Sequence, residues 1–206
     1  MHAKRSTILP LVFLFSALYA RAQWRSVRAT MTTTETITMR DGHVRTDTTT
    51  SEYYRSTSGS ELTVTILRAP GDQMVRKLAE LYDAEEPAQY SLDYSTKTAY
   101  LIVRMPIPKP LITDRGAEHP ELQHGTYLGF YCVLVPVMLD GKRIGTYWVD
   151  DKDDLILKKD ITLPGSHTVT TLSDITLDGK YDPSLFRIPS GFTIDTSRTK
   201  AAPANF

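Results

Sequence analysis

Apolar residues fall at every second position through most of the chain, which predicts strands with one buried face. Val27, Ala29 and Met31 alternate with Arg28 and Thr30, and Ile37 and Met39 alternate with Thr36, Thr38 and Arg40. Asp41-Gly42 tolerates positive φ, so a type I′ turn is expected there, pairing Thr34–Arg40 with His43–Tyr54. Gly59-Ser60 marks another turn before a strand at Leu62–Leu67. The period then changes. Between Asp72 and Glu86, residues Met74, Val75, Leu78, Leu81 and Tyr82 recur at spacings of three and four. That spacing predicts an amphipathic helix, capped by Asp72 and closed by Pro87. Such a helix would lay its stripe on the sheet, either as core packing or as a lid.

Strands resume at Tyr90–Asp93 and Thr98–Arg104, around a turn at Tyr94–Lys97. The stretch Met105–Gly125 holds four prolines without periodicity and reads as a long loop, functional or disordered. Tyr127–Leu139 is apolar on both faces, with Leu128, Phe130 and Leu134 on one side and Tyr131, Val133 and Val135 on the other. Asp140-Gly141, Asp150–Asp154, Pro164-Gly165 and Asp178-Gly179 then punctuate strands at Ile144–Val149, Leu155–Ile161 and Ser166–Leu177. Turn signals every 8 to 12 residues or so suggest a sandwich or a barrel-like sheet.

The N-terminus has a different character. Lys4 and Arg5 precede an apolar run from Ile8 to Ala20, followed by Ala20-Arg21-Ala22. This layout predicts a secretory signal peptide over 1–22, cleaved after Ala22. The run is shorter than the 20 or so residues that span a bilayer. Cys132 is the sole cysteine, so no thiol near the cut could take a lipid and no internal disulfide can form. Removing 22 of the 206 residues leaves 184, with 21 basic side chains against 24 acidic ones, a formal charge of −3. That net charge predicts no field for gripping nucleic acid or an anionic membrane. The expected product is a soluble exported protein, periplasmic or secreted. It has one β-rich domain over 23–195 and a tail over 196–206.

The closing segment, Tyr181-Asp182-Pro183-Ser184-Leu185-Phe186-Arg187-Ile188-Pro189-Ser190-Gly191-Phe192, resembles the D-P-x-L-F-x-I-P-x-G-[FY] ending of the LolA/LolB-like outer-membrane lipoprotein carrier superfamily. The hairpin Thr34–Tyr54, the segment Asp93–Tyr100 and Tyr147-Trp148-Val149-Asp150 resemble it more diffusely. Locally, Leu185, Phe186 and Ile188 are expected to plug a sheet edge. The resemblance implies a mainly β fold with one or two helices: an open, curved antiparallel half-barrel whose apolar concave face is covered by helix. Proteins of that superfamily carry acyl chains or similar groups through an aqueous compartment.

Catalytic chemistry is not evident. His43, His119, His124 and His167 make no metal-binding pair at three- or four-residue spacing. Cys132 lies in a strand expected to be buried, where a thiol is inert. No serine sits in a Gly-x-Ser-x-Gly elbow. The acidic run Asp150–Asp154 lacks the spacing of a calcium loop and suits a solvated turn. The expectation is a non-enzyme without cofactor or metal that shelters a lipid or a lipoprotein acyl chain. Its cavity would be lined by Leu128, Phe130, Leu134, Tyr147 and Val149 on the sheet, with Met74, Leu78 and Leu81 on the helix. The alternative is an envelope interaction protein with a filled core, acting on a protein partner.

Overall fold

In a computed structural model describing residues 24–68, 75–104 and 122–199, the alternating segments pair into one sheet of twelve strands. Strands β1 (Val27–Thr38), β2 (Val44–Arg55), β3 (Glu61–Arg68), β4 (Val75–Asp83), β5 (Ala88–Asp93) and β6 (Thr98–Arg104) run as consecutive antiparallel neighbours. On the other side of β1 lies β11 (Ser166–Leu177), followed by β10 (Ile156–Leu163), β9 (Lys142–Asp150), β8 (Phe130–Leu139) and β7 (Gln123–Tyr127). A last short strand, β12 (Thr193–Asp195), adds parallel to β6. The sheet is open, with β12 and β7 at its two ends. The expected export segment, residues 105–121 and Met74 lie outside the described residues. Among the described residues no helix is long and apolar enough to cross a membrane.

The expected helix over 72–86 is not there: residues 75–83 form β4. The buried positions follow a period of two, Ala79, Leu81 and Asp83, so that among the described residues of the expected stripe only Leu81 is buried. Pairing selects the extended form. Leu81 lies opposite both Leu62 of β3 and Tyr90 of β5, so both backbone edges are satisfied by neighbours. A single amphipathic helix of that length has little stability without such packing. With it goes the expected helix on the concave face. The only helical turn among the described residues is the 3-10 turn Pro183–Phe186.

Two turn expectations also change. Strands β1 and β2 are joined through Met39–His43, with Gly42 N–H donating to Met39 O at 3.0 Å and only Gly42 at positive φ. That is a type I turn with a glycine bulge rather than type I′. The apolar run expected as one strand over 127–139 is broken by a tight turn at Leu128-Gly129, both at positive φ, which makes β7 and β8 a hairpin. Gln123–Gly125, expected in the loop, are part of β7.

The two faces of the sheet are packed differently. On one, Leu62, Ala79, Leu81, Tyr90, Leu92 and Leu101 form a core closed by the C-terminal segment. Phe186 is buried against them, and Leu185, Ile188 and Phe192 flank it. Asp182 starts this turn by accepting from Ser184 N–H at 2.9 Å. Arg187 fastens it to Asp83 at 2.7 Å and to Glu85. The closing motif therefore covers a face of the sheet rather than an edge. The other face carries the candidate site.

Candidate functional site

Residues on one register row share a face. Arg55 of β2 lies opposite Glu61 of β3, Glu61 opposite Tyr82 of β4, and Tyr82 opposite Gln89 of β5. Two residues along, Tyr53 projects to the same side. Across β1, Met31 lies opposite Leu172 of β11. These side chains, with Trp24, Leu157 and Tyr147, line a hollow of about 440 Å³.

Strands β5 and β9 both reach this hollow, through Gln89 and Tyr147. They are seven strand spacings apart in the sheet, about 34 Å if it were flat. Tyr53 of β2 and Cys132 of β8, five spacings apart in the sheet, nevertheless belong to one buried cluster, so the sheet curls around the hollow. This is the physical content of an open, curved antiparallel sheet.

Arg55 closes one end. It is 2% exposed. Its guanidinium donates to the main-chain oxygens of Asp153 at 3.1 Å, Asp154 at 3.3 Å and Arg25 at 3.4 Å. Trp24 stacks on the same group, 5.1 Å from ring centre to Cζ. Gly59, at φ +88°, leaves room for that indole: a Cβ there would sit 2.7 Å from Trp24 Nε1. At the other side Lys159 Nζ lies 5.8 Å from the centre of the Tyr147 ring. Burial and the neighbouring Glu61 hold the Tyr53 hydroxyl protonated, well above the usual phenol range. The Tyr82 hydroxyl is pushed up to about 12, by burial first and then by Glu61 and Asp83. It is closed off from solvent and has no hydrogen-bond partner. The wall thus offers aromatic and aliphatic surface beside polar groups that include Arg55, Glu61, Gln89, Lys159 and Thr170.

Of the residues expected to line a cavity, Tyr147 does so. The register turns Leu134 and Leu81 to the other face, whereas Val149 and Leu78 share the face of Tyr147 and Tyr82 but lie outside the lining. Val149 lies opposite Val133 and is fully buried in a small cluster with it. Leu134 lies opposite Trp148, one residue from Tyr147 and therefore on the opposite face. Phe130 lies outside the lining but packs against the core that holds Tyr53, Leu157 and Leu172, and Leu128 is exposed in its turn. Leu81 belongs to the core under the C-terminal segment, on the opposite face from the hollow. Leu78 is half-buried on β4 opposite Asp93, outside the lining. Sequence reasoning missed Trp24, Met31, Tyr53, Arg55, Tyr82, Leu157 and Leu172. The parity that places Val27, Ala29 and Met31 on one face could have found Tyr53 and Arg55 once β1 and β2 were paired.

The acidic run is also corrected: Asp150, Asp153 and Asp154 are buried rather than in a solvated turn. Asp150 accepts from Asp153 N–H at 3.0 Å, and Arg25 reaches Asp153 at 3.2 Å and also pairs with Asp178. Among the described residues no three His, Cys, Asp or Glu side chains converge as metal ligands.

No protein-family model matches the sequence, and no curated protein does. Among solved structures, two crystal forms of PNGF-II resemble it with TM-scores of 0.47 and 0.41 at 11% and 12% identity. Each covers 86% of this chain, which spans only 32% and 31% of PNGF-II. A LolA superfamily protein from Nitrosomonas europaea gives a TM-score of 0.38 at 10% identity, over 79% of this chain and 90% of that one. A DUF1329 family protein from Desulfovibrio piger gives 0.23 at 16% identity, over 80% and 90%. The superfamily that the closing segment resembles is thus the one named for one of these matched structures.

Proposed function

We propose that this chain is a non-catalytic carrier of a lipid-like ligand, exported to the periplasm, which holds an acyl chain in the aromatic hollow. The observation that carries this reading is the unfilled space of about 440 Å³ between Tyr53, Tyr147, Leu157 and Leu172. Ligand sites usually occupy roughly 300 to 1,000 Å³ and have mainly apolar walls with a few placed polar groups. The gain per buried methylene is about 0.8 kcal/mol. A tail of moderate length therefore overcomes the loss of its freedom without a charged anchor. On the opposite face Phe186 fills the core, and a second hollow of about 410 Å³ beside it is lined chiefly by polar residues, among them Ser56, Ser58, Ser60, Glu85, Lys180 and Arg187.

The test is displacement of a fluorescent fatty acid from gently purified protein, together with native mass spectrometry of the same sample. Binding that disappears in Leu172→Trp, which fills the hollow, supports the reading. A protein that is always empty, and that binds no acyl probe, removes it.

A further inference from the structure

Among the described residues, eight of the eleven exposed large hydrophobic side chains lie at one end of the sheet, so their distribution is not scatter. They sit at four hairpin tips. Met39 and Val44 flank the β1–β2 turn, and Leu163 precedes the β10–β11 turn beside it, where Thr38 N–H donates to Gly165 O at 2.8 Å. Met138 and Leu139 enter the β8–β9 turn, and Ile66, Leu67 and Val75 approach the end of the β3–β4 pair. Antiparallel pairing puts all four tips on the same rim. Ile66 and Leu67 are successive strand residues and so project to opposite faces, as do Met138 and Leu139. A partner docked on one face would leave half of these side chains wet.

Charge is segregated the same way. Around these tips and the β5–β6 turn, Arg40, Arg45, Arg76, Lys77, Lys97, Lys142 and Arg143 outnumber Glu35, Asp41, Asp47, Asp93, Asp140 and Asp160, and Arg45 and Arg76 pair with Asp47 and Asp93. The opposite rim carries Asp83, Glu85 and Glu86 in one turn and Asp150, Asp151, Asp153 and Asp154 in another. The near-neutral whole-chain charge conceals this polarity. An anionic surface would draw the molecule in with its basic rim first. Exposed apolar side chains interleaved with cations are the composition that inserts at a headgroup boundary.

We propose that this rim docks on an anionic lipid bilayer, with Val44, Leu67 and Leu139 entering the interface. The docking surface is distinct from the hollow and does not require it to be loaded. In co-sedimentation with phosphatidylglycerol–phosphatidylcholine vesicles, the purified protein is expected to bind at low salt. Raising salt to about 0.5 M should release it, because rim cations are screened. Leu139→Ser and Val44→Ser should each weaken partitioning by about tenfold, since one desolvated aliphatic side chain is lost. Both positions are exposed, so folding is preserved. Emission from Leu139→Trp should shift to the blue on vesicle addition, whereas Leu128→Trp on the opposite rim should not. Equal binding to purely zwitterionic vesicles, equal shifts at the two rims, or rim variants that bind like the parent would each overturn the proposal. So would self-association that the same rim variants abolish while vesicle binding is absent.

Discussion

The guanidinium of Arg55, at the end of β2, donates to the main-chain oxygens of Asp153 and Asp154 in the β9–β10 turn at 3.1 and 3.3 Å. Nearly a hundred residues separate the partners, and three strands lie between β2 and β9 in the sheet. The contact therefore spans the curl and holds the two walls of the hollow together. Arg55→Met should destabilise the protein by about 3 kcal/mol, because it strands the main-chain oxygens of two buried residues. Arg55→Lys should recover part of this, since an ammonium donates but lacks the planar fork. Urea midpoints of the three proteins measure it. A midpoint unchanged in Arg55→Met would show that the bridge does not support the fold.

This bridge illustrates what the sequence could and could not convey. Strand positions and most turns were legible, because alternation and pairs such as Asp140-Gly141 are local signals; that turn does place both residues at positive φ. Face assignment was not, since it depends on register between strands. Leu134 and Tyr147 looked alike as sheet residues, but pairing with Trp148 sends Leu134 to the other face. The segment over 75–83 was misread for a similar reason: its two neighbours, not its own spacing, select the extended form. Asp153 and Asp154 looked like a solvated turn because nothing local announces that Arg55 will arrive from β2. The rim's basic character was equally hidden, since counting charges along the chain ignores which turns point the same way.

Acid should expose a second fastening. Asp93 is buried, and its carboxylate accepts from Ser95 Oγ at 2.5 Å and from Arg76 at 2.7 Å. These bonds, Ser95 first, hold its pKa at about 2, below the unfolded value of 3.8. A depressed folded value stabilises above pH 3.8 and is lost as pH falls through about 2. The contribution is about 1 kcal/mol, because Arg76 is half-exposed and solvent screens the pair. The stability gap between the parent and Asp93→Asn should be constant near neutrality and shrink between those two pH values. A gap independent of pH down to 2 would show that the carboxylate is not held down.

Cys132 should be silent until the sheet opens. Its side chain is fully buried on β8 between Gly125 and Asp150. Burial, and then the Asp150 carboxylate, push the thiol up to about 11. An aromatic disulfide reagent at pH 8 should therefore label the native protein only through opening of the sheet, at a rate that rises with urea. Rapid stoichiometric labelling in native buffer would contradict the burial.

The two faces of the sheet can be separated with one substitution on each. Leu81 is fully buried among Leu62, Tyr90 and Phe186, so Leu81→Ala leaves a cavity in a closed core. A loss of about 3 kcal/mol is expected, as for other buried leucines. Acyl-probe affinity should be unaffected, because the hollow lies across the sheet. Tyr147 is half-buried at the wall of the hollow, where its ring meets solvent or ligand. Tyr147→Ala should change stability by less than about 1 kcal/mol and weaken the probe by about tenfold. Thermal unfolding and probe titration of both variants decide it. If Leu81→Ala alone reduced binding, or Tyr147→Ala alone unfolded the protein, the division into a filled face and a receptive face would be wrong.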